Sequence, residues 1–126
     1  MALNIEPYGD YVQSIAYCFS IFEPKNGSWM QAVCESNGIT EPYNGSWELA
    51  YAYYFYTNFY TGPAEDFEIK NGSYWQTICY YFMVEAGISE FLFIDGINYP
   101  INGSWENNFF QLVVITEAGG SIPMPA

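Results

Sequence analysis

A polar residue followed at once by an aromatic ring, and by apolar residues one helical turn later, recurs along the chain. Aligned on the polar residue, the starts are Asp10, Ser28, Ser46, Ser73 and Ser104, separated by 18, 18, 27 and 31 residues. The ring that follows is Tyr11, Trp29, Trp47, Tyr74 (with Trp75 directly behind it) or Trp105. Four positions after the start comes Ser14, Ala32, Ala50, Thr77 or Asn108, mostly small. The fifth is Ile15, Val33, Tyr51, Ile78 or Phe109, and the sixth is Ala16, Cys34, Ala52, Cys79 or Phe110. Residues four apart on a helix share a face, so each unit reads as a short helix with its leading ring stacked above an apolar residue. Five such starts make a tandem array with insertions growing toward the C-terminus.

The start itself has the chemistry of a helix N-cap. A Ser or Asp oxygen accepts one of the orphan N–H groups of the first turn. Gln13, Gln31 and Gln76 stand three residues after their starts, which predicts a capping box in three units, while Leu49 and Asn107 leave the other two without one. Asn-Gly precedes four of the starts and Pro lies just upstream of several, so the entering chain is held in a turn. The expected helices are 10–21, 28–36, 46–60, 73–86 and 104–116. Asp95-Gly96 between apolar runs predicts a small β-hairpin near 90–100. Phe109–Thr116 is rich in β-branched residues, so strand competes there with the helix that the repeat demands. The expected fold is mainly α: short capped helices packed as a compact, repeat-like bundle in a single domain over 1–126, with an extended tail at 119–126 that could drape over a neighbouring subunit.

Composition changes the picture by removing charge from the surface. Of 126 residues, 21% are aromatic and only 13% are charged, so 13 Tyr, 10 Phe and 4 Trp must supply part of the exterior. Tyr and Trp add apolar area while keeping a polar handle, which suits protein interfaces. The runs Tyr53, Tyr54, Tyr56, Phe59, Tyr60 and Tyr80, Tyr81 are aromatic on every helical face, and one small core is not expected to absorb them all. They are the candidate interface residues. Fourteen acids against Lys25 and Lys70 give a net charge of −12 without any His. Such a chain lacks the basic footprint for direct nucleic-acid binding and for anionic membranes, and is steered toward basic partners or cations.

Candidate chemistry is sparse. Cys18, Cys34 and Cys79 are an odd number without metal spacing, two of them at the same repeat position, and read as small core residues made in a reducing cytoplasm. The N-terminus has no signal-peptide pattern, and no stretch reads as a membrane span. The sequons at Asn26, Asn44, Asn71 and Asn102 use Ser residues already assigned to caps, and their Asn residues suit the preceding turn. Glu65, Asp66 and Glu68 are oxygen ligands without a calcium-loop spacing, and read as a solvated loop. No metal and no cofactor is expected. With neither His nor a convergent pair of buried acids in sight, the reading is that the protein is not an enzyme.

Segments 24–34, 42–52, 71–79 and 100–110, in which Pro-x-Asn-Gly-Ser-Trp or its variant leads into a brief helix, resemble repeat modules of virion-associated proteins of tailed bacteriophages, particularly Bacteroidetes phages. They cover about a third of the chain. The copies depart from the pattern in the Tyr74 insertion and in Asn108. The resemblance implies a structural part of a virion (capsid, tail or decoration), located in the particle, and brings no catalytic residues. The expected function is therefore non-enzymatic assembly with other protein subunits as a homo- or hetero-oligomer. The alternative is a lectin-like module whose repeated Trp rings stack on glycans.

Overall fold

The computed structural model describes residues 5–60, 63–86 and 104–125. Within them the chain is mainly helical. Five α-helices follow one another: α1 (Tyr11–Cys18), α2 (Trp29–Ser36), α3 (Trp47–Phe55), α4 (Tyr74–Ala86) and α5 (Trp105–Ala118). A π-helical turn, Tyr56–Tyr60, extends α3, and short 3-10 turns occupy Ala64–Asp66 and Lys70–Gly72. The hairpin expected near 90–100 lies outside the described residues.

The local reason for each helix start is visible in its hydrogen bonds. Asp10 Oδ1 accepts the Gln13 N–H at 2.7 Å, and the Oγ atoms of Ser28, Ser46, Ser73 and Ser104 accept those of Gln31, Leu49, Gln76 and Asn107 at 3.0, 3.0, 3.1 and 3.1 Å. The capping box is not completed where it was expected in the second and fourth units. There the N–H of Ser28 goes to the Lys25 carbonyl at 2.8 Å and that of Ser73 to the Lys70 carbonyl at 2.9 Å, so no donor remains for a glutamine to reach back to. The Gln31 amide instead points forward to Glu35 at 2.7 Å, and that of Gln13 to the Tyr17 hydroxyl at 3.1 Å.

The competing partner is supplied by Asn-Gly. Asn26 and Gly27 have φ of 50° and 76°, and Asn44 and Gly45 have 49° and 78°. Two successive left-handed residues make the turn that favours Asn-Gly, and it folds Lys25 onto Ser28 and Tyr43 onto Ser46 as one-rung antiparallel bridges. Asn71 and Gly72 repeat the geometry at 53° and 70°. In that unit Thr77 Oγ1 replaces the second rung, accepting the Lys70 N–H at 2.8 Å and donating to the Ser73 carbonyl at 2.7 Å. Ala32 and Ala50, at the equivalent position, leave the rung to the backbone. The second, third and fourth units are therefore each a tight turn delivering a capped helix.

The first two helices also stop alike. Ser20 and Gly38 take left-handed φ of 63° and 81°, and the N–H of Ile21 and Ile39 returns to the carbonyls of Ala16 and Cys34 at 2.9 and 3.0 Å. This six-to-one closure ends α1 at Cys18, three residues before the sequence expectation, because Ser20 accepts a conformation normally filled by Gly. At the other end, α5 runs through the β-branched segment to Ala118, since the cap at Ser104 and burial of Phe109–Val114 outweigh strand propensity.

Each helix packs on the next, and α5 closes the circuit by packing on both α4 and α1. The fifth and sixth residues after all five caps are buried, forming one core cluster fed by every helix. Phe109 sits among Tyr51, Phe55, Trp75 and Phe82 with ring centroids 5.7, 6.3, 5.8 and 4.9 Å away. Burial of such a ring contributes roughly 2–3 kcal/mol. In the tail, Ile122 packs back against this core, while Met124 is exposed.

Candidate interaction surface

The leading rings are half-buried rather than displayed. Tyr11, Trp29, Trp47 and Trp105 pack on the core by one face. Tyr74 is exposed, and Trp75 behind it packs against the core. The next helix to arrive is seated on this first turn. Cys34 Sγ donates to the Trp47 carbonyl at 3.3 Å and Cys79 Sγ to the Trp105 carbonyl at 3.4 Å. Across the closure, Phe110 meets Tyr11 with centroids 5.9 Å apart. In the second and fourth units the sixth residue after the cap thus meets the first residue of the following unit, and Phe110 of the last unit meets Tyr11 of the first.

Burial and these bonds account for the thiols. All three cysteines are free and buried. Loss of hydration pushes Cys18 up to about 11, with Glu117 adding to it, and Cys34 up to about 12, with Glu48 and Glu35 adding. Cys79 is likewise pushed up to about 12 by burial, against a lowering contribution from the Asn108 amide. A neutral thiol is a poor nucleophile and a poor ligand.

Of the candidate interface residues, Tyr56 and Tyr81 have no surface to offer: they are 0% and 2% exposed. The expectation that one core could not absorb these rings fails here because the insertion before the fourth unit adds a second layer. Phe67 comes within 5.3 Å of the Tyr56 ring and 5.9 Å of Tyr81, and the Tyr56 hydroxyl donates to the Pro63 carbonyl. Tyr53, Tyr54 and Tyr80 are half-buried and reach the surface. The side chains of Phe59 and Tyr60 lie outside what is described.

One spatial slot unites the surface aromatics with both lysines. The residue before the glycine-containing turn faces the seventh residue after the cap. In the first unit Tyr8 stacks on Tyr17 at 5.5 Å. In the second Lys25 pairs with Glu35 at 3.8 Å. The third puts Tyr43 on Tyr53 at 5.0 Å. In the fourth, Lys70 Nζ lies 4.6 Å from the centre of the Tyr80 ring. Four matched pairs of three chemistries (two Tyr–Tyr, one ion pair and one cation on a ring) occupy this slot. The sequence reading missed this slot, although Lys25, Tyr43 and Lys70 stand three residues before their caps, Tyr8 stands two before, and every partner stands seven after.

Beside the slot runs an open groove, present twice. Ile21, Glu23, Lys25, Ala32, Glu35 and Ser36 line the first, of about 330 Å³. Residues eighteen positions further on (Ile39, Glu41, Tyr43, Ala50, Tyr53 and Tyr54) line the second, of about 340 Å³, together with Pro42 and Thr57. The first is ionic and the second aromatic.

Other candidate features stay local. Glu68 pairs with Lys70 at 3.2 Å, and Glu65 and Asp66 lie exposed on their 3-10 turn. Asn26, Asn44 and Asn71 occupy the first left-handed position of their turns, and Asn102 lies outside the described residues. Among the described residues no group of three metal-ligating side chains assembles, and no helix is long and apolar enough to cross a membrane. Comparison with family models, curated protein sequences and solved structures gave no match for this chain.

Proposed function

We propose that the protein is a non-enzymatic assembly component, a structural subunit of a virion that packs against other protein subunits through its surface aromatics and the grooves beside them. The observation that carries this reading is the pair of equivalent grooves. Caps, turns and core are held constant over eighteen residues while the residues facing outward change from Lys25 and Glu35 to Tyr43 and Tyr53. Repeat proteins that bind partners vary their surface on a fixed frame in this manner. Half-buried Tyr rings beside a shallow groove have the composition of interface cores. The cap hydroxyls and the thiols are engaged in the frame: the hydroxyls hold helix starts, and the thiols are buried and neutral. The virion setting rests on the resemblance of the Pro-x-Asn-Gly-Ser-Trp segments.

Light scattering after size exclusion, over a range of protein concentrations, tests the assembly reading. The expected result is a concentration-dependent oligomer that Tyr54→Ser weakens without changing the circular dichroism. A strictly monomeric chain that binds a glycan array, and loses that binding on Trp29→Ala or Trp47→Ala, would install the lectin reading instead. The particle setting is checked by mass spectrometry of purified virions.

A further inference from the structure

The fourth unit shows how this frame holds a cation. Lys70 Nζ lies 4.6 Å from the Tyr80 ring centre and 5.8 Å from that of Tyr81, with Glu68 Oε1 at 3.2 Å. Counted from the caps, Tyr80 and Tyr81 are the seventh and eighth residues after Ser73, and Glu68 and Lys70 are the fifth and third before it. The third unit has Tyr53 and Tyr54 at the same two positions after Ser46 and Glu41 at the fifth before it. Tyr43 stands where Lys70 stands and lays its ring against Tyr53 at 5.0 Å, and Ala50 and Pro42 replace Thr77 and Ile69, so the third unit keeps two rings and an acid but has no cation of its own. Glu41, Tyr43, Tyr53 and Tyr54, with Ala50, line the open groove of about 340 Å³. That size falls in the range of sites that admit a small ligand or a single long side chain.

We propose that this groove binds a lysine or arginine side chain presented by a partner protein. Its aliphatic stem would lie along Ala50 and Pro42, and its charged head would face the Tyr53 and Tyr54 rings with Glu41 at the rim. Ring faces attract a cation, and a long basic side chain buries its stem while keeping its head wet. Charge complementarity selects this occupant. The chain carries −12, and its two lysines are already engaged, Lys25 with Glu35 and Lys70 with Glu68 and Tyr80. The field of the molecule therefore draws basic partners toward it. The proposal rests on the assembly reading and names the chemistry of the contact.

The test is an amide-resolved NMR titration of the full chain with Nα-acetyl-lysine N-methylamide, against Nα-acetyl-norleucine N-methylamide as the uncharged control. The lysine probe is expected to shift the amides of 41–43 and 50–57 saturably, and the norleucine probe is not. Glu41→Gln should weaken binding roughly two- to fivefold, as loss of an exposed ion pair does. Tyr43→Lys installs the chain's own cation, as Lys70 does in the fourth unit, and should abolish the saturable shifts. Should that variant lose its dispersed spectrum, Tyr54→Ser serves the same comparison. Equal shifts from both probes, or shifts scattered over the acidic surface and untouched by these substitutions, would overturn the site. An oligomer by light scattering that ignores the lysine probe would remove this site and leave the assembly reading standing. Saturable probe binding to a chain that stays monomeric would do the reverse.

Discussion

Gln111 closes the molecule on Ile5: its Oε1 accepts the Ile5 N–H at 3.0 Å and its Nε2 donates to the Ile5 carbonyl at 2.8 Å. The amide imitates one rung of a β-ladder, between residues 106 positions apart. Nε2 also reaches Asn107 Oδ1 at 3.0 Å, so the side chain is held from its own helix while it holds the N-terminal segment. Gln111 is the seventh residue of the fifth unit, the position that elsewhere faces the slot.

Replacing it by Leu keeps the bulk and deletes both bonds. The part-buried N–H and carbonyl of Ile5 would lose their partner, and Gln111→Leu is expected to cost about 2–3 kcal/mol in urea unfolding. Hydrogen exchange should locate the loss at Ile5 and in α1 and α5. A change below about 0.5 kcal/mol would mean that the clasp contributes nothing beyond packing.

The caps and the glutamines behind them should separate cleanly. Ser28→Ala and Ser46→Ala each remove an oxygen that accepts a first-turn N–H and are expected to cost about 1 kcal/mol. Gln31→Ala should cost about 0.5 kcal/mol, because its amide supports only a part-buried contact with Glu35 one turn on. Comparable costs for Ser28 and Gln31 in thermal unfolding would show that the glutamine does close back on the cap in solution.

Much of the frame was legible in the sequence because it is encoded locally. Cap, ring and apolar face recur within seven residues, and the helices follow from that spacing. What was hidden lay beyond that local pattern. The Asn-Gly turn uses up the cap N–H that the capping box requires, a competition between two local motifs that each looked complete alone. The burial of Tyr56 and Tyr81 is completed by Phe67, which stands six residues before Ser73 as the exposed Phe22 does before Ser28, so the repeat pattern alone did not mark it as a core contact. Ser20 hid the end of α1, since the left-handed position it fills carries Gly in the next unit. The slot was hidden because its two members are separated by the turn and most of the helix, and only coordinates show them meeting.

Exchange of slot chemistry between units provides a sharper check of quasi-equivalence. Lys25→Tyr alone and Glu35→Tyr alone each strand a partner. Together they rebuild in the second unit the Tyr43–Tyr53 pair of the third. The double variant is expected to be more stable than the sum of the single changes predicts, by about 0.5–1 kcal/mol in a double-mutant cycle. Strict additivity would mean that the two slots differ in shape.

The acidic composition has one identifiable cost in the fold. Glu106, in the first turn of α5, has its pKa raised above the usual 4.5 by burial, and then by Asp10 and Glu48. The N-terminus of α5 favours the charge, but here the lost hydration and the like charges prevail. A carboxyl with a raised folded pKa binds its proton more tightly in the folded state. Its contribution is therefore favourable to folding at acid pH and turns into a penalty as pH rises from 4.5 through the folded value. Glu106→Gln, which keeps the shape and removes the charge, is expected to raise the melting temperature at pH 7 and to leave it nearly unchanged below pH 4.5. Added salt should narrow the difference at pH 7 without closing it, because screening weakens Asp10 and Glu48 but leaves the desolvation of Glu106 in place. A variant that loses stability at pH 7 would show instead that the charge on Glu106 is favoured by the helix start more than burial opposes it.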